Sequence, residues 1–186
     1  MENKNIIAVI DLGTFNLKCA IFSITDNSPK LIGFSKNKTE GIHNSTIINV
    51  DRAVSSIRKC LAEAEKKSKI SLNKINVLIE PSQIITTKVS KYKKIDGSKI
   101  EKSDISFLLK EAKKQVESND YKLSHLHIFN CKYIVDNKQF KDLPLNIYAD
   151  QFSLENAFIS IPKNILKNIS EVFHSCDIEI NRFIFS

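Results

Sequence analysis

Apolar residues recur every second position, or run together briefly, in three early segments of the chain: 6–10, 17–24 and 31–35. That pattern predicts three consecutive strands. A turn at 11–16 joins the first two, and Thr25-Asp26-Asn27-Ser28-Pro29 joins the next. A loop with Gly41 and His43 follows. From Asp51 to about Ser68 the apolar spacing becomes helical, at Ala53, Val54, Ile57, Leu61 and Ala64, with Asp51 as the expected cap. Residues 75–79 are wholly apolar and read as a buried strand. The first 80 residues therefore read β-β-β-α-β, half of a mixed sheet.

The character changes at Glu80-Pro81-Ser82. Residues 84–89 are strand-like, and 88–99 are polar and lysine-rich. Ser103 is the expected cap of a second helix with Ile105, Leu108, Leu109, Ala112 and Val116 on one face. Strands are predicted over 127–135 and 152–161, separated by a loop around Lys141-Asp142-Leu143-Pro144. Pro162 opens a third helix to about His174, and 178–185 is a last strand. Residues 81–160 thus hold their own helix and strands and predict a small inserted α+β subdomain, flanked by 1–80 and 161–186. There are no internal repeats. A chain that stops on a strand suggests a piece of a longer protein.

Composition narrows the class. At 186 residues with 42% hydrophobic and 26% charged, the chain can bury a real core. No apolar run reaches the roughly 18 residues that cross a bilayer. The first five residues lack the pattern of a signal peptide. Cys19, Cys60, Cys131 and Cys176 are far apart, form no CxxC motif, and read as reduced, mostly buried thiols of a cytoplasmic protein. The net charge of +7 comes from lysine, with only three arginines at positions 52, 58 and 182. Arginine is the residue that reads bases bidentately, and the lysines are dispersed among Asn and Ile. Codon preference accounts for them, and no nucleic-acid partner is expected.

The candidate chemistry lies at Asp11–Lys18. Asp11, Gly13, Thr14 and Lys18 bring a carboxylate, bare backbone amides, a hydroxyl and an ammonium into eight residues. Such a concavity suits phosphates and hydrated Mg²⁺. His125 and His127, two apart on a predicted strand, are expected on one face. They lack the further ligands zinc needs. His43 and His174 are isolated, and no G-x-S-x-G motif supports acyl transfer. The lysine stretch, Lys88, Lys91, Lys93, Lys94, Lys99 and Lys102, reads either as a protected strand edge or as a surface for an acidic partner segment or a neighbouring protomer, with Lys88, Lys91, Lys93 and Lys94 as the candidate contacts.

These residues resemble a known superfamily. Asp11-Leu12-Gly13-Thr14, with Lys18 seven positions after the aspartate, looks like the first phosphate motif of the actin-like ATPases. Asp51-Arg52-Ala53-Val54-Ser55-Ser56-Ile57 followed by Ala62-Glu63-Ala64-Glu65 is similar to a helix of the FtsA family of bacterial cell-division proteins. His127-Ile128-Phe129-Asn130-Cys131-Lys132-Tyr133-Ile134-Val135-Asp136 is similar to a segment of FtsA subdomain 1C. Lys141-Asp142-Leu143-Pro144 with Asn146-Ile147-Tyr148 resembles the loop after it, and the strand ending the chain matches the return to subdomain 1A.

The resemblance implies an actin-like ATPase (ribonuclease H-like) half-domain with a mixed sheet: 1–80 and 161–186 as an incomplete 1A, and 81–160 as 1C. It implies ATP and Mg²⁺ in the full-length family. Asp11 would hold Mg²⁺ through water, Gly13 and Thr14 would offer N–H groups, Lys18 a point charge, and Phe15 and Asn16 backbone atoms. Tight binding and hydrolysis by these residues alone are not expected. The implied partners are neighbouring protomers and division proteins, with FtsZ reached only through a second half. The implied location is the inner face of the cell membrane, if the whole protein carries a C-terminal amphipathic helix. The chain departs from the family at Asn130, at Glu80-Pro81-Ser82 and at Ala149. Its four glycines are all separated, so it holds no second phosphate loop. An actin-fold sugar kinase or exopolyphosphatase fragment, or a PilM-like pilus-assembly adaptor, are the alternatives.

Overall fold

The computed structural model describes residues 5–26 and 28–185. The first four residues, Asn27 of the predicted connection and Ser186 lie outside the described residues. The described chain forms two compact units. One runs up to Gln83 and resumes at Lys163; the other is Ile84–Pro162.

The first unit is a five-stranded mixed sheet. Its strands are β1 (Asn5–Leu12), β2 (Asn16–Thr25), β3 (Ser28–Lys38), β6 (Lys74–Ile79) and β11 (Glu179–Phe185), in the order β11-β6-β1-β2-β3. β1 and β2 are antiparallel, as are β2 and β3, whereas β6 lies parallel to both β1 and β11. Parity decides what is buried. Ala8, Ile10 and Leu12 of β1, and Leu17, Cys19 and Ile21 of β2, face the core. Helix α1 (Val50–Ser68) covers them with Ala53, Ile57, Cys60, Leu61 and Ala64. Helix α3 (Lys163–His174) adds Ile165, Ile169, Val172 and Phe173. Each such Ile or Leu contributes about 1.5–3 kcal/mol by leaving water.

Two local readings are corrected. The cap of α1 is Asn49, not Asp51: the Asn49 side chain accepts a hydrogen bond from Arg52 N at 3.0 Å. Asp51 lies in the first turn, where its charge meets the helix dipole. The loop around Gly41 and His43 is a miniature hairpin of β4 (Ile42–His43) and β5 (Thr46–Ile47).

The second unit is a four-stranded antiparallel sheet with one helix. Its strands are β7 (Ile85–Lys99), β8 (Leu123–Val135), β9 (Lys138–Phe140) and β10 (Tyr148–Pro162), in the order β7-β10-β8-β9. Helix α2 (Lys102–Asn119) packs Ile105 and Leu108 with Ile95, Phe152 and Leu154, and Ala112 and Val116 with Val89 and Phe158. Its cap is Glu101 rather than Ser103. The Asp104 carboxylate reaches back to the Glu101 N–H at 2.8 Å in a capping box. The strand-like 84–89 and the polar stretch 88–99 belong to one long strand, β7, and β9 forms a hairpin with β8 that the sequence pattern missed.

Candidate functional site

The β1–β2 register sets Asp11 directly opposite Lys18. Their side chains meet at 3.2 Å, both partly exposed. Leu12 pairs with Leu17 above them, leaving Gly13, Thr14 and Phe15 to make the turn. Gly13 is required by close approach: a Cβ there would stand 2.7 Å from the Asn16 carbonyl oxygen. Phe15 is 82% exposed at the tip.

The carbonyls of this turn are held from the protein side. The Ser45 hydroxyl donates to Leu12 O at 3.1 Å, and the Thr39 hydroxyl donates to Gly13 O at 2.7 Å. Thr39 N donates to Phe15 O at 3.1 Å. Among the described residues, the Gly13, Thr14 and Phe15 amides donate to no protein acceptor. Backbone amides beside an ammonium form an anion-binding concavity, and the Asp11 carboxylate suits a hydrated divalent cation. Thr14 is expected to offer its backbone N–H, and its side chain is engaged elsewhere. Its hydroxyl donates to Asn44 Oδ1 at 2.9 Å and accepts from Asn44 N at 3.1 Å. Its single proton is already given, so the backbone amide is what Thr14 offers a ligand. Asn44 and Ser45 were not singled out from the sequence. The available signal was an Asn-Ser pair between two short apolar-containing dipeptides, Ile42-His43 and Thr46-Ile47.

Of the five lysines of β7, Lys88, Lys91, Lys93 and Lys94 do not share one face. Val89 and Ile95 point toward α2, so Lys91 and Lys93, at the same parity, lie on that side. Lys88 and Lys94 lie on the other, with exposed Tyr92. Lys93 is also engaged. Its ammonium sits 2.5 Å from the Asp104 carboxylate and 5.5 Å from the centre of the Phe107 ring. Burial raises the Asp104 pKa, but the Lys93 hydrogen bond and the Glu101 N–H outweigh it, and the net shift is downward.

The expectation for the paired histidines is overturned. His125 stands opposite Ser160 and His127 opposite Ile159, so a bulge at Leu126 turns them to opposite faces. His125 Nδ1 is 2.8 Å from the Ser160 hydroxyl, and its ring meets Phe158 edge-on. Among the described residues no group of three or more His, Cys, Asp or Glu side chains could hold a metal ion. Among the described residues no helix is long and apolar enough to cross a membrane. Of the four thiols, Cys19 and Cys60 are buried, Cys176 is half-buried and Cys131 is exposed, so two rather than most are in the core.

The sheet order, the hairpin and the second sheet define the class: an α/β fold with a mixed five-stranded sheet and a second, antiparallel four-stranded sheet. The solved PilM-PilN type IV pilus biogenesis complex has this fold, with a TM-score of 0.62 over 96% of this chain and 47% of that one, at 9% identity. Within the class, the sequence resembles the cell division protein FtsA along its whole length. It is 22% identical over 186 residues to FtsA of Buchnera aphidicola subsp. Schizaphis graminum, and 25% identical over 182 residues to FtsA of Bacillus subtilis. Those alignments take in 100% and 97% of this chain. The chain spans 44% and 41% of the length of these two relatives. No protein-family model matches.

Proposed function

We propose that the chain acts as the N-terminal part of an FtsA-like cell-division scaffold. The unit carrying the turn corresponds to subdomain 1A, and Ile84–Pro162 to 1C. The observation that carries the reading is the opposed Asp11–Lys18 pair at the mouth of the Gly13–Phe15 turn, in a chain that aligns with FtsA throughout. Asp11 would hold Mg²⁺ through water. The Gly13 and Thr14 amides would meet the β- and γ-phosphates of ATP, with Lys18 as a point charge and Phe15 and Asn16 contributing backbone atoms. A single phosphate turn leaves adenine and ribose unenclosed, so these residues alone bind nucleotide weakly and do not turn it over. The role is assembly rather than catalysis.

The partners are neighbouring protomers and other division proteins. Lys88 and Lys94 supply the free cationic face, Lys91 flanks the helix side, and Lys93 contributes less because Asp104 already holds it. FtsZ would be met through a second half of the protein, and the inner membrane face through a C-terminal amphipathic helix. The pilus-adaptor reading has the same fold in its favour, and the sequence likeness favours division. A fluorescent fusion in a dividing bacterium tests this. Septal enrichment that weakens in Lys88→Glu/Lys94→Glu is expected, whereas an even cytoplasmic signal would overturn it.

A further inference from the structure

We propose that the β4–β5 hairpin is a clasp that preshapes the phosphate-binding turn, with Asn44 and Ser45 as its positioning residues. This rests on the reading of Asp11–Lys18 as a phosphate site. Neither residue would touch the ligand; both act through the turn that does.

The hairpin is built for one shape. Ile42 pairs with Ile47 and His43 with Thr46, so Asn44 and Ser45 form its two-residue loop. Both have positive φ, 45° and 52°, as the favoured hairpin turn demands. Asn tolerates that conformation, while Ser adopts it only when its surroundings enforce it. Here they do. Ser45 is 2% exposed, and its hydroxyl donates to Leu12 O while accepting from Glu80 N at 2.9 Å. It therefore ties the end of β1 to the residue just after β6, its parallel neighbour.

Asn44 works one residue further out. Its side-chain oxygen takes the Thr14 proton, and its amide donates back to the same hydroxyl. That reciprocal pair fixes the Thr14 side chain. With Thr39 holding the Gly13 and Phe15 carbonyls, every residue from Leu12 to Phe15 has an anchor toward the body of the unit. The amide edge is set before any anion arrives, so ordering the turn need not be subtracted from binding.

The test uses Asn44→Gly, which keeps the left-handed backbone and its N–H but removes Oδ1. Titration with Mg-ATP should show about fivefold weaker binding, the ratio one ordinary hydrogen bond supplies, at an unchanged unfolding temperature. Thr14→Ala/Asn44→Gly should bind no more weakly than Thr14→Ala alone, because both changes remove one coupled contact. Wild-type affinity in Asn44→Gly, or additive losses in the double variant, would overturn the clasp. Amide exchange separates this from the site reading. Exchange at the Thr39 amide, which donates to Phe15 O, should quicken in Asn44→Gly while the neighbouring strands stay protected, and unchanged exchange at Thr39 would sink the clasp. A wild-type chain that takes no Mg-ATP at millimolar concentration would instead refute the phosphate site, leaving exchange to judge the hairpin.

Discussion

A methyl group on Gly33 would stand 2.6 Å from the Ala64 carbonyl oxygen and 2.8 Å from the Ser68 Cβ. Strand β3 thus lies against the backbone of α1 with no room for a side chain. Gly33→Ala must push the helix away or bend the strand. It should destabilise the first unit by roughly 1–3 kcal/mol, the usual range for overpacking, read as a lower denaturant midpoint.

Acid should loosen the second unit through Asp104. Its folded pKa is lowered, so the stabilisation it supplies is present above the unfolded value of about 3.9 and is lost as the pH falls through the folded one. Asp104→Asn weakens both the Lys93 contact and the cap of α2. It should cost roughly 2 kcal/mol at neutral pH, in the range for hydrogen bonds to charged groups. The gap between wild type and variant should close on acidification, as followed by circular dichroism.

The thiols should react in a fixed order. Burial, then the neighbouring Cys60 and Glu65, push Cys19 up to about 12. Burial also raises Cys60, although the Ser35 hydroxyl works against it. Burial raises Cys176 too, with Arg58 opposing. Since the thiolate is the nucleophile, an aromatic disulfide reagent at pH 8 should label exposed Cys131 first. Cys131→Ser should remove the fast phase and leave slow labelling that accelerates only on unfolding.

Charge reversal should act unequally along β7. Lys88→Glu/Lys94→Glu should reduce capture of an acidic partner with little change in stability. Lys93→Glu should instead destabilise the unit, because it sets a carboxylate against buried Asp104. Raising the salt concentration should mimic the first pair and not the second. Equal binding losses with equal stability in both variants would contradict this division.

Much of this was legible in the sequence, for physical reasons particular to each element. The β1–β2 hairpin and the Asp11–Lys18 opposition follow from period-two parity around a short turn. Helix α1 was legible from Ala53, Ile57, Leu61 and Ala64, but its first residue was not. Asn49 and Asp51 are both good caps, and the choice falls to Asn49 where Gly41 O accepts from Ile48 N and Asn49 N. The start of β7 was legible as strand-like over 84–89, but its full length was not, because a strand that is lysine-rich on both sides shows little apolar alternation. The bulge at Leu126 depends on pairing with β10, about 30 residues downstream, and no local pattern in β8 carries it. The β4–β5 hairpin has two-residue strands, too short for any period. So the turn and its flanking strands were readable, and the contacts that hold the turn in place were not.

Among the described residues strand β7 pairs only with β10, so its other edge carries no strand partner. Ammonium groups project above and below that bare margin, at Lys91 and Lys93 on one side and Lys88 and Lys94 on the other. A second copy sliding in alongside would bring like against like over both surfaces. Two β7 margins are thereby kept from zipping together strand to strand, the protection that lysine gives a bare edge.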